Sequence, residues 1–130
     1  MKFAIQINSS PWKGQGCETA YQFSRVALSL GHQIVRIFFY SEGAYTGLRW
    51  MAPPEQEKPL VRRWSALAAE EGVDLVICIS AAQRRGLLET NEGRRLGKLD
   101  DDLAEGFRIA GLGLWVDACL KADRFLVFGE

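Results

Sequence analysis

The residues best suited to chemistry lie in one short stretch, 73–86, which reads V-D-L-V-I-C-I-S-A-A-Q-R-R-G. Its apolar first half is typical of a central parallel strand that is buried on both faces. Cys78 comes late in this run. Ser80, a usual N-cap type, then Arg84, Arg85 and a closing glycine predict a short helix directly after it. Because a helix N-terminus and nearby cations favour a thiolate over a thiol, this arrangement suits a sulfur nucleophile.

The same position also suits a purely structural cysteine, because cysteine is often buried and packs in strands as a small hydrophobe. A helix N-terminus contributes only about 0.3–1 kcal/mol toward a thiolate, which is too little to keep most of a thiol ionised at neutral pH. A nucleophilic Cys78 would therefore need Arg84 or Arg85 folded back on it, or a group from another chain. The two arginines could equally face solvent or a subunit. The residues alone leave both interpretations of Cys78 open.

The remaining candidate groups indicate less specific chemistry. Cys17 follows the loop P-W-K-G-Q-G at an expected helix N-terminus, a position that lowers a thiol pKa. That loop lacks the spacings of phosphate and dinucleotide loops, so a flexible loop is favoured there over an anion site. Cys119 is expected in core packing. His32, the single histidine, has no second ligand at metal-binding spacing and is expected in a turn.

Two further features have simple structural interpretations. Asp74 is expected to be a charge at the start of a strand, and the G-L-G at 111–113 is expected to allow close packing where the last helix begins. The chain has no G-x-S-x-G, which disfavours a serine hydrolase. The sequence therefore predicts neither a metal site nor a bound cofactor.

Composition limits the class of protein. A chain of 130 residues, 48% of them hydrophobic, is enough for one domain with a single core, residues 1–130. Sixteen Lys and Arg balance sixteen Asp and Glu, so no overall field attracts nucleic acid or an acidic membrane. No apolar run has the length of a signal peptide core or a membrane span, and we expect a cytoplasmic protein with three free thiols.

Strands and helices are predicted to alternate along the chain. The expected strands are 3–8, 33–40, 73–79 and 125–128; the expected helices are 17–30, 60–71, the short helix after Cys78, and 109–122. Segment 41–54 is expected to be a long loop that acts as a lid or interface, and 87–107 to be irregular. Helix-length connections imply parallel strands with right-handed crossovers. The predicted fold is a three-layer α/β/α sandwich, flavodoxin-like, with a mainly parallel sheet. Large aromatic residues in its loops favour an oligomer.

Several blocks together resemble the DsrE/TusD family. They are M-K-F-A-I-Q-I-N at the start, A-Y-Q-F at 20–23, G-H-Q-I-V-R-I-F-F-Y at 31–40, C-I-S-A-A-Q-R-R-G at 78–86, and F-R-I-A-G-L-G with A-D-R-F-L-V-F-G near the end. The resemblance covers essentially the whole chain and is most specific around Cys78. It implies a DsrE-like fold and maps the active cysteine of the family onto Cys78, whereas nothing in the family pattern requires Cys17 or Cys119.

The resemblance implies a cytoplasmic sulfur carrier. Cys78 would receive sulfane sulfur as a persulfide from an upstream carrier and pass it to a DsrC/TusE-like acceptor. This relay serves tRNA 2-thiouridine synthesis or dissimilatory sulfur oxidation. DsrF/TusC-like and DsrH/TusB-like chains would complete a heterohexamer, with no direct membrane or nucleic-acid partner. A persulfide moves by thiolate attack on its outer sulfur, which requires one exposed cysteine.

Two alternatives stay open beside the sulfur carrier. The first is a non-catalytic scaffold subunit of a related hetero-oligomer, in which Cys78 is buried. The second is a flavodoxin-like module that binds a small anion at loop 12–17.

Overall fold

The computed structural model describes residues 1–54 and 59–129. Within these ranges, five parallel strands form one sheet with the order β4-β3-β2-β1-β5. The elements in chain order are β1 (Lys2–Ile7), α1 (Gly16–Ser29), β2 (Gln33–Phe39), a 3-10 helix (Ser41–Gly47), α2 (Leu60–Glu71), β3 (Leu75–Cys78), α3 (Ile79–Arg84), α4 (Thr90–Arg95), β4 (Phe107–Ala110), α5 (Gly113–Lys121) and β5 (Arg124–Phe128).

The direction of the crossovers divides the helices between the two sides of the sheet. From β1 to β4 the chain steps one strand at a time toward the same edge, so right-handed connections place α1, α2, α3 and α4 on one side, called here the α1 side. The return from β4 to β5 runs the other way and places α5 on the opposite side, called here the α5 side. Ring contacts agree with this division, since Phe39 meets Trp64 of α2 at 5.6 Å and Phe38 stacks on Trp115 of α5 at 6.1 Å.

The core is concentrated on the α1 side. Parallel register aligns two apolar rows across the strands, and their central members are fully buried: Ile5, Ile7, Ile37, Phe39, Leu75 and Ile77. Trp64 lies over them with no exposed surface. Burial of each such side chain contributes about 1.5–3 kcal/mol. The α5 side is more polar, because its rows include Gln6, Arg36 and Arg108.

Two glycines let the 3-10 helix lie directly against the sheet. A Cβ built on Gly43 would be 2.2 Å from the carbonyl oxygen of Ile7, and one on Gly47 would be 2.2 Å from Cδ1 of Ile77. Segment 41–54, expected to be a loop, therefore begins as a helix packed on the strand that carries Cys78. Its fold depends on contacts with distant residues, which local sequence does not reveal.

Most predicted elements are confirmed, and the main error lies in 87–122. The helix predicted at 60–71 matches α2, which ends at Gly72 with the left-handed φ of 69°. Segment 87–107 was expected to be irregular, but part of it forms the helix α4. The helix predicted from 109 begins only at Gly113, because β4 occupies Phe107–Ala110 at the edge of the sheet. No helix among the described residues has the length and apolarity to cross a membrane.

The expectation of close packing at the G-L-G segment is wrong. No described atom lies within 4 Å of a Cβ built on Gly111 or Gly113. Leu112 between them is half exposed. The segment therefore leaves open space at the start of α5.

Candidate functional site

Cys78 is the last residue of β3 and the N-cap residue of α3. Its Cα is paired in register with Ala110, the last residue of β4. The carboxyl edge of the sheet therefore holds the thiol, as the sequence predicts. The helix starts one residue after Cys78, so Ser80 is an exposed residue within α3; its predicted place as N-cap is wrong because β3 passes directly into the helix.

Strand alternation places Cys78 on the α5 side. Phe38 is paired with Val76, and Cys78 is two residues further along β3, so all three lie on the same side of the sheet. Tyr40 directly follows Phe39, the partner of Ile77, and is 36% exposed. Cys78 itself is only 5% exposed. Cys78 is thus buried within the isolated chain.

Arg85 connects α3 to the 3-10 helix. Its Nη2 donates to Oε1 of Glu42 at 2.6 Å, and its Nη1 donates to the carbonyl of Ala81 at 3.0 Å. Its guanidinium also lies 5.7 Å from the ring centroid of Tyr45. These contacts direct the cation to Glu42 rather than to the sulfur, while Arg84 is exposed. Arg85 thereby fixes the end of α3, the helix that directly follows Cys78.

All three cysteines lie within the described residues and are free thiols, as predicted. Cys17 is 2% exposed, and its sulfur lies 3.5 Å from Oγ1 of Thr46. The expectation of a lowered pKa at the start of α1 is wrong: burial raises the pKa of the Cys17 thiol and outweighs the hydrogen bond with Thr46. Burial also raises the pKa of the half-buried Cys119.

An ion cluster holds the α5 side together at the other end of the strands. Asp74 accepts hydrogen bonds from Arg36 Nε at 2.6 Å and from Arg108 Nε and Nη2 at 2.9 and 2.8 Å. Arg36 also donates to the carbonyl of Leu114 and to Asp117 of α5, at 2.8 and 3.1 Å. The hydrogen bonds from Arg108 and Arg36 lower the pKa of the Asp74 carboxyl. The prediction that Asp74 is a strand-end charge is confirmed, but its two partners, Arg36 and Arg108, were missed.

His32 is in the turn that the sequence predicts. Its Nδ1 lies 3.0 Å from the N-terminal amine of Met1, and its ring meets Phe3 edge-on. In residues 1–54 and 59–129, no three side chains of His, Cys, Asp or Glu are grouped as a metal site would require.

Comparison with known proteins identifies the family. A sequence profile described as the DsrE/DsrF-like family matches residues 1–128. The chain belongs to this family. A DsrE protein of Allochromatium vinosum, whose name designates a sulfurtransferase, is 45% identical over 130 residues and covers both chains completely. The sulfurtransferase TusD of an Enterobacter species is 38% identical over 128 residues, 98% of this chain and 100% of the relative.

A solved structure confirms the predicted DsrE-like architecture. The ychN protein from E. coli aligns with a TM-score of 0.80 at 21% identity and covers 98% of this chain and 99% of its own. At that identity the match shows the shared fold. Membership of the DsrE/DsrF-like family thus agrees with the resemblance drawn from the sequence blocks.

Proposed function

We propose that this protein is a cytoplasmic persulfide-carrying sulfurtransferase subunit in which Cys78 is the nucleophile. The observation that carries the proposal is the position of Cys78, a free thiol at the carboxyl end of β3 and the N-cap of α3. It is supported by full-length similarity to two proteins that are named as sulfurtransferases. Cys17 is held in the core against Thr46 and is not assigned a role.

The proposed step is a thiolate displacement. The sulfur of Cys78 attacks the outer, sulfane sulfur of a donor persulfide, so a new S–S bond forms on Cys78 as the S–S bond of the donor breaks. The donor leaves as a thiolate and is reduced, while Cys78 is oxidised to the persulfide. A second displacement by the thiolate of an acceptor protein returns Cys78 to its starting state. No resolving cysteine is required.

The proposed relay has an upstream sulfur carrier and a DsrC/TusE-like acceptor, and it serves tRNA 2-thiouridine synthesis or dissimilatory sulfur oxidation. The proposed assembly includes DsrF/TusC-like and DsrH/TusB-like chains. Arg84, Arg85 and Ser80 are proposed as supporting residues. For Arg85 the bonds to Glu42 and Ala81 support a positioning role, since they fix the helix that directly follows Cys78.

Intact-protein mass spectrometry tests the nucleophile. After incubation with a persulfide donor and removal of the excess, we expect the mass to increase by about 32 Da, one sulfur atom on one cysteine. The Cys78→Ser variant should gain nothing. Cys119→Ser is the matched control, because it also removes a free thiol, and it should gain sulfur like the parent. Normal sulfur uptake by Cys78→Ser would refute the assignment.

The low exposure of Cys78 favours one alternative, a scaffold subunit that carries no sulfur. Iodoacetamide distinguishes the two functions. A carrier must open enough to let the reagent reach Cys78 in the native state, whereas a scaffold cysteine would react only after unfolding. Peptide mapping of the alkylated native protein therefore decides between them.

A further inference from the structure

We propose that the hydroxyl of Tyr40 donates a hydrogen bond to the outer sulfur of the Cys78 persulfide and stabilises that sulfur as an anion. This inference rests on the proposed function, because it concerns Cys78 in its sulfur-loaded form. It gives Tyr40 a role in binding the sulfur cargo, beside the nucleophile.

The sheet places Tyr40 directly beside Cys78. Phe39 of β2 is paired in register with Ile77 of β3, and Tyr40 and Cys78 are the next residues on the two strands. The backbone N–H of Tyr40 donates to the carbonyl of Ile7 at 2.9 Å, so the hydrogen bonds of the sheet continue as far as Tyr40. Neighbouring strands are about 4.8 Å apart. Tyr40 and Cys78 are therefore neighbours across the carboxyl edge of the sheet.

The two side chains lie on the same side of the sheet. Side chains alternate along a strand, so Tyr40 shares the α5 side with Phe38, and Cys78 shares it with Val76. The rings of Tyr40 and Phe38 are 6.4 Å apart, which agrees with this placement. On the other flank of Cys78, the paired residue is Ala110, whose side chain is a methyl group. Of these two neighbours of Cys78, only Tyr40 carries a side chain that can donate a hydrogen bond.

The hydroxyl of Tyr40 is available to a bound group. Among residues 1–54 and 59–129 it has no hydrogen-bond partner, and the thiol of Cys78 has none either. The thiol also accepts no hydrogen bond from the first turn of α3, although Cys78 is the N-cap residue. Tyr40 is 36% exposed whereas Cys78 is buried. The tyrosine therefore extends to the surface beside the thiol without bonding to it.

A persulfide would place a second sulfur between the thiol and the surface. An S–S bond is about 2 Å long, so the outer sulfur projects that far beyond the sulfur of Cys78. The chain beyond Ala110 leaves room for it, since no described atom lies within 4 Å of a Cβ built on Gly111. The outer sulfur, rather than the thiol, is then the atom that the longer Tyr40 side chain can reach.

The charged side chains of the surrounding elements are engaged elsewhere. Arg85 of α3 pairs with Glu42 of the 3-10 helix at 2.6 Å, and Arg84 is exposed. Residues 113–116, the first turn of α5, carry no charge, and β1 contributes the uncharged Gln6 and Asn8 to this side. The remaining charges on the α5 side pair with one another: Arg36, Asp74, Arg108, Asp117 and Lys121. The Tyr40 hydroxyl is therefore the donor that we assign to the charge of the outer sulfur.

Titration of the loaded protein tests the hydrogen bond. The outer sulfur ionises by losing its S–H proton to solvent, and the resulting perthiolate absorbs in the near ultraviolet, so absorbance against pH gives the midpoint of ionisation. A donor that bonds to the anion lowers this midpoint. We expect Tyr40→Phe to raise it by about one pH unit, a tenfold change in the equilibrium that corresponds to about 1.4 kcal/mol.

Two controls separate the hydroxyl from a general change in the site. Tyr21→Phe removes a hydroxyl on α1, where it accepts a hydrogen bond from Arg25 at 3.4 Å, and it should keep the wild-type midpoint. The unloaded Cys78 thiol, followed as the difference in absorbance from Cys78→Ser, should titrate at the same pH in the wild type and in Tyr40→Phe. Circular dichroism should show an unchanged fold, because phenylalanine keeps the ring contact with Phe38.

The outcomes distinguish this inference from the proposed function. A wild-type protein that takes up no sulfur on Cys78 would overturn the proposed function and the role of Tyr40 together. Sulfur on Cys78 with equal midpoints in the wild type and Tyr40→Phe would overturn the role of Tyr40 alone. Equal shifts in the loaded and unloaded forms would also overturn it, because they would show a change in the whole site rather than a bond to the outer sulfur.

Discussion

Replacing Asp74 by asparagine should weaken the ion cluster that connects the strands to α5 on the α5 side of the sheet, where Cys78 also lies. The carboxylate accepts three hydrogen bonds, one from Arg36 and two from Arg108. Through Arg36, which also reaches Leu114 and Asp117, the carboxylate joins β2, β3 and β4 to α5. We expect Asp74→Asn to lower the free energy of unfolding by about 2 kcal/mol at pH 7.

This magnitude follows from the exposure of each pair. Arg36 is 12% exposed and Asp74 28%, so their short bond resembles a partly buried, charge-assisted hydrogen bond, which contributes about 1.5–3 kcal/mol. Arg108 is 52% exposed, and solvent reduces its pair with Asp74 to at most about 1 kcal/mol. The expected loss of stability is smaller than the sum of the two contributions. Asparagine keeps one acceptor oxygen, and Arg36 keeps its bonds to Leu114 and Asp117.

The lowered pKa of Asp74 determines how the stability difference between wild type and variant changes with pH. Hydrogen bonds from Arg108 and Arg36 lower the pKa of Asp74 in the folded protein. Its stabilising contribution is therefore complete above the unfolded pKa of about 4 and is lost as the pH falls through the lower folded value. The difference between wild type and variant should be constant from about pH 7 to pH 5 and should shrink below about pH 4.

Urea denaturation at several pH values measures this difference. Asp100→Asn is the control, because it removes the same formal charge from an exposed turn and should change stability by less than about 0.5 kcal/mol. A loss for Asp74→Asn that is no larger than the control, or one that persists unchanged at low pH, would refute the role of the ion cluster.

Two further predictions concern the close packing at Gly47 and the burial of Cys17. Gly47→Ala should lower stability by about 1–3 kcal/mol in urea denaturation, because its Cβ would overlap Ile77. Gly113→Ala is the control, because no described atom lies within 4 Å of a Cβ at that position, and it should leave stability unchanged or raise it by up to about 1 kcal/mol. Equal losses of stability for the two variants would contradict the packing argument. Cys17, buried against Thr46 with a raised pKa, should resist iodoacetamide in the native protein and react in urea, and native alkylation of Cys17 would show that the core opens there.

Local signals allowed the sequence to predict some elements and not others. Helical periodicity and the stop at Gly72 define α2 within one stretch of chain, so its bounds were predicted correctly. Strand β4 has only four residues at the edge of the sheet, and Arg108 within it acquires its partner Asp74 from 34 residues away. No local sequence pattern indicates the pairing of Arg108 with Asp74. The position of Cys78 at a strand end was predictable from the apolar run that precedes it, whereas the sequence left open whether Cys78 is buried or exposed.

The packing at the switch point of the sheet supports a sulfur carrier over a module that binds small anions. The chain steps from β1 toward β4 and then returns to place β5 on the other side of β1, so the crevice where open α/β sheets typically bind ligands lies between β1 and β5. The start of α1 packs closely against the ends of these strands: a Cβ on Gly16 would lie 2.2 Å from Oγ of Ser9 and 2.3 Å from the carbonyl oxygen of Gly129. Cys78 is on β3, two strands from this point. A persulfide carrier needs no crevice for a nucleotide or a phosphate, because its cargo is a single sulfur atom held by one covalent bond.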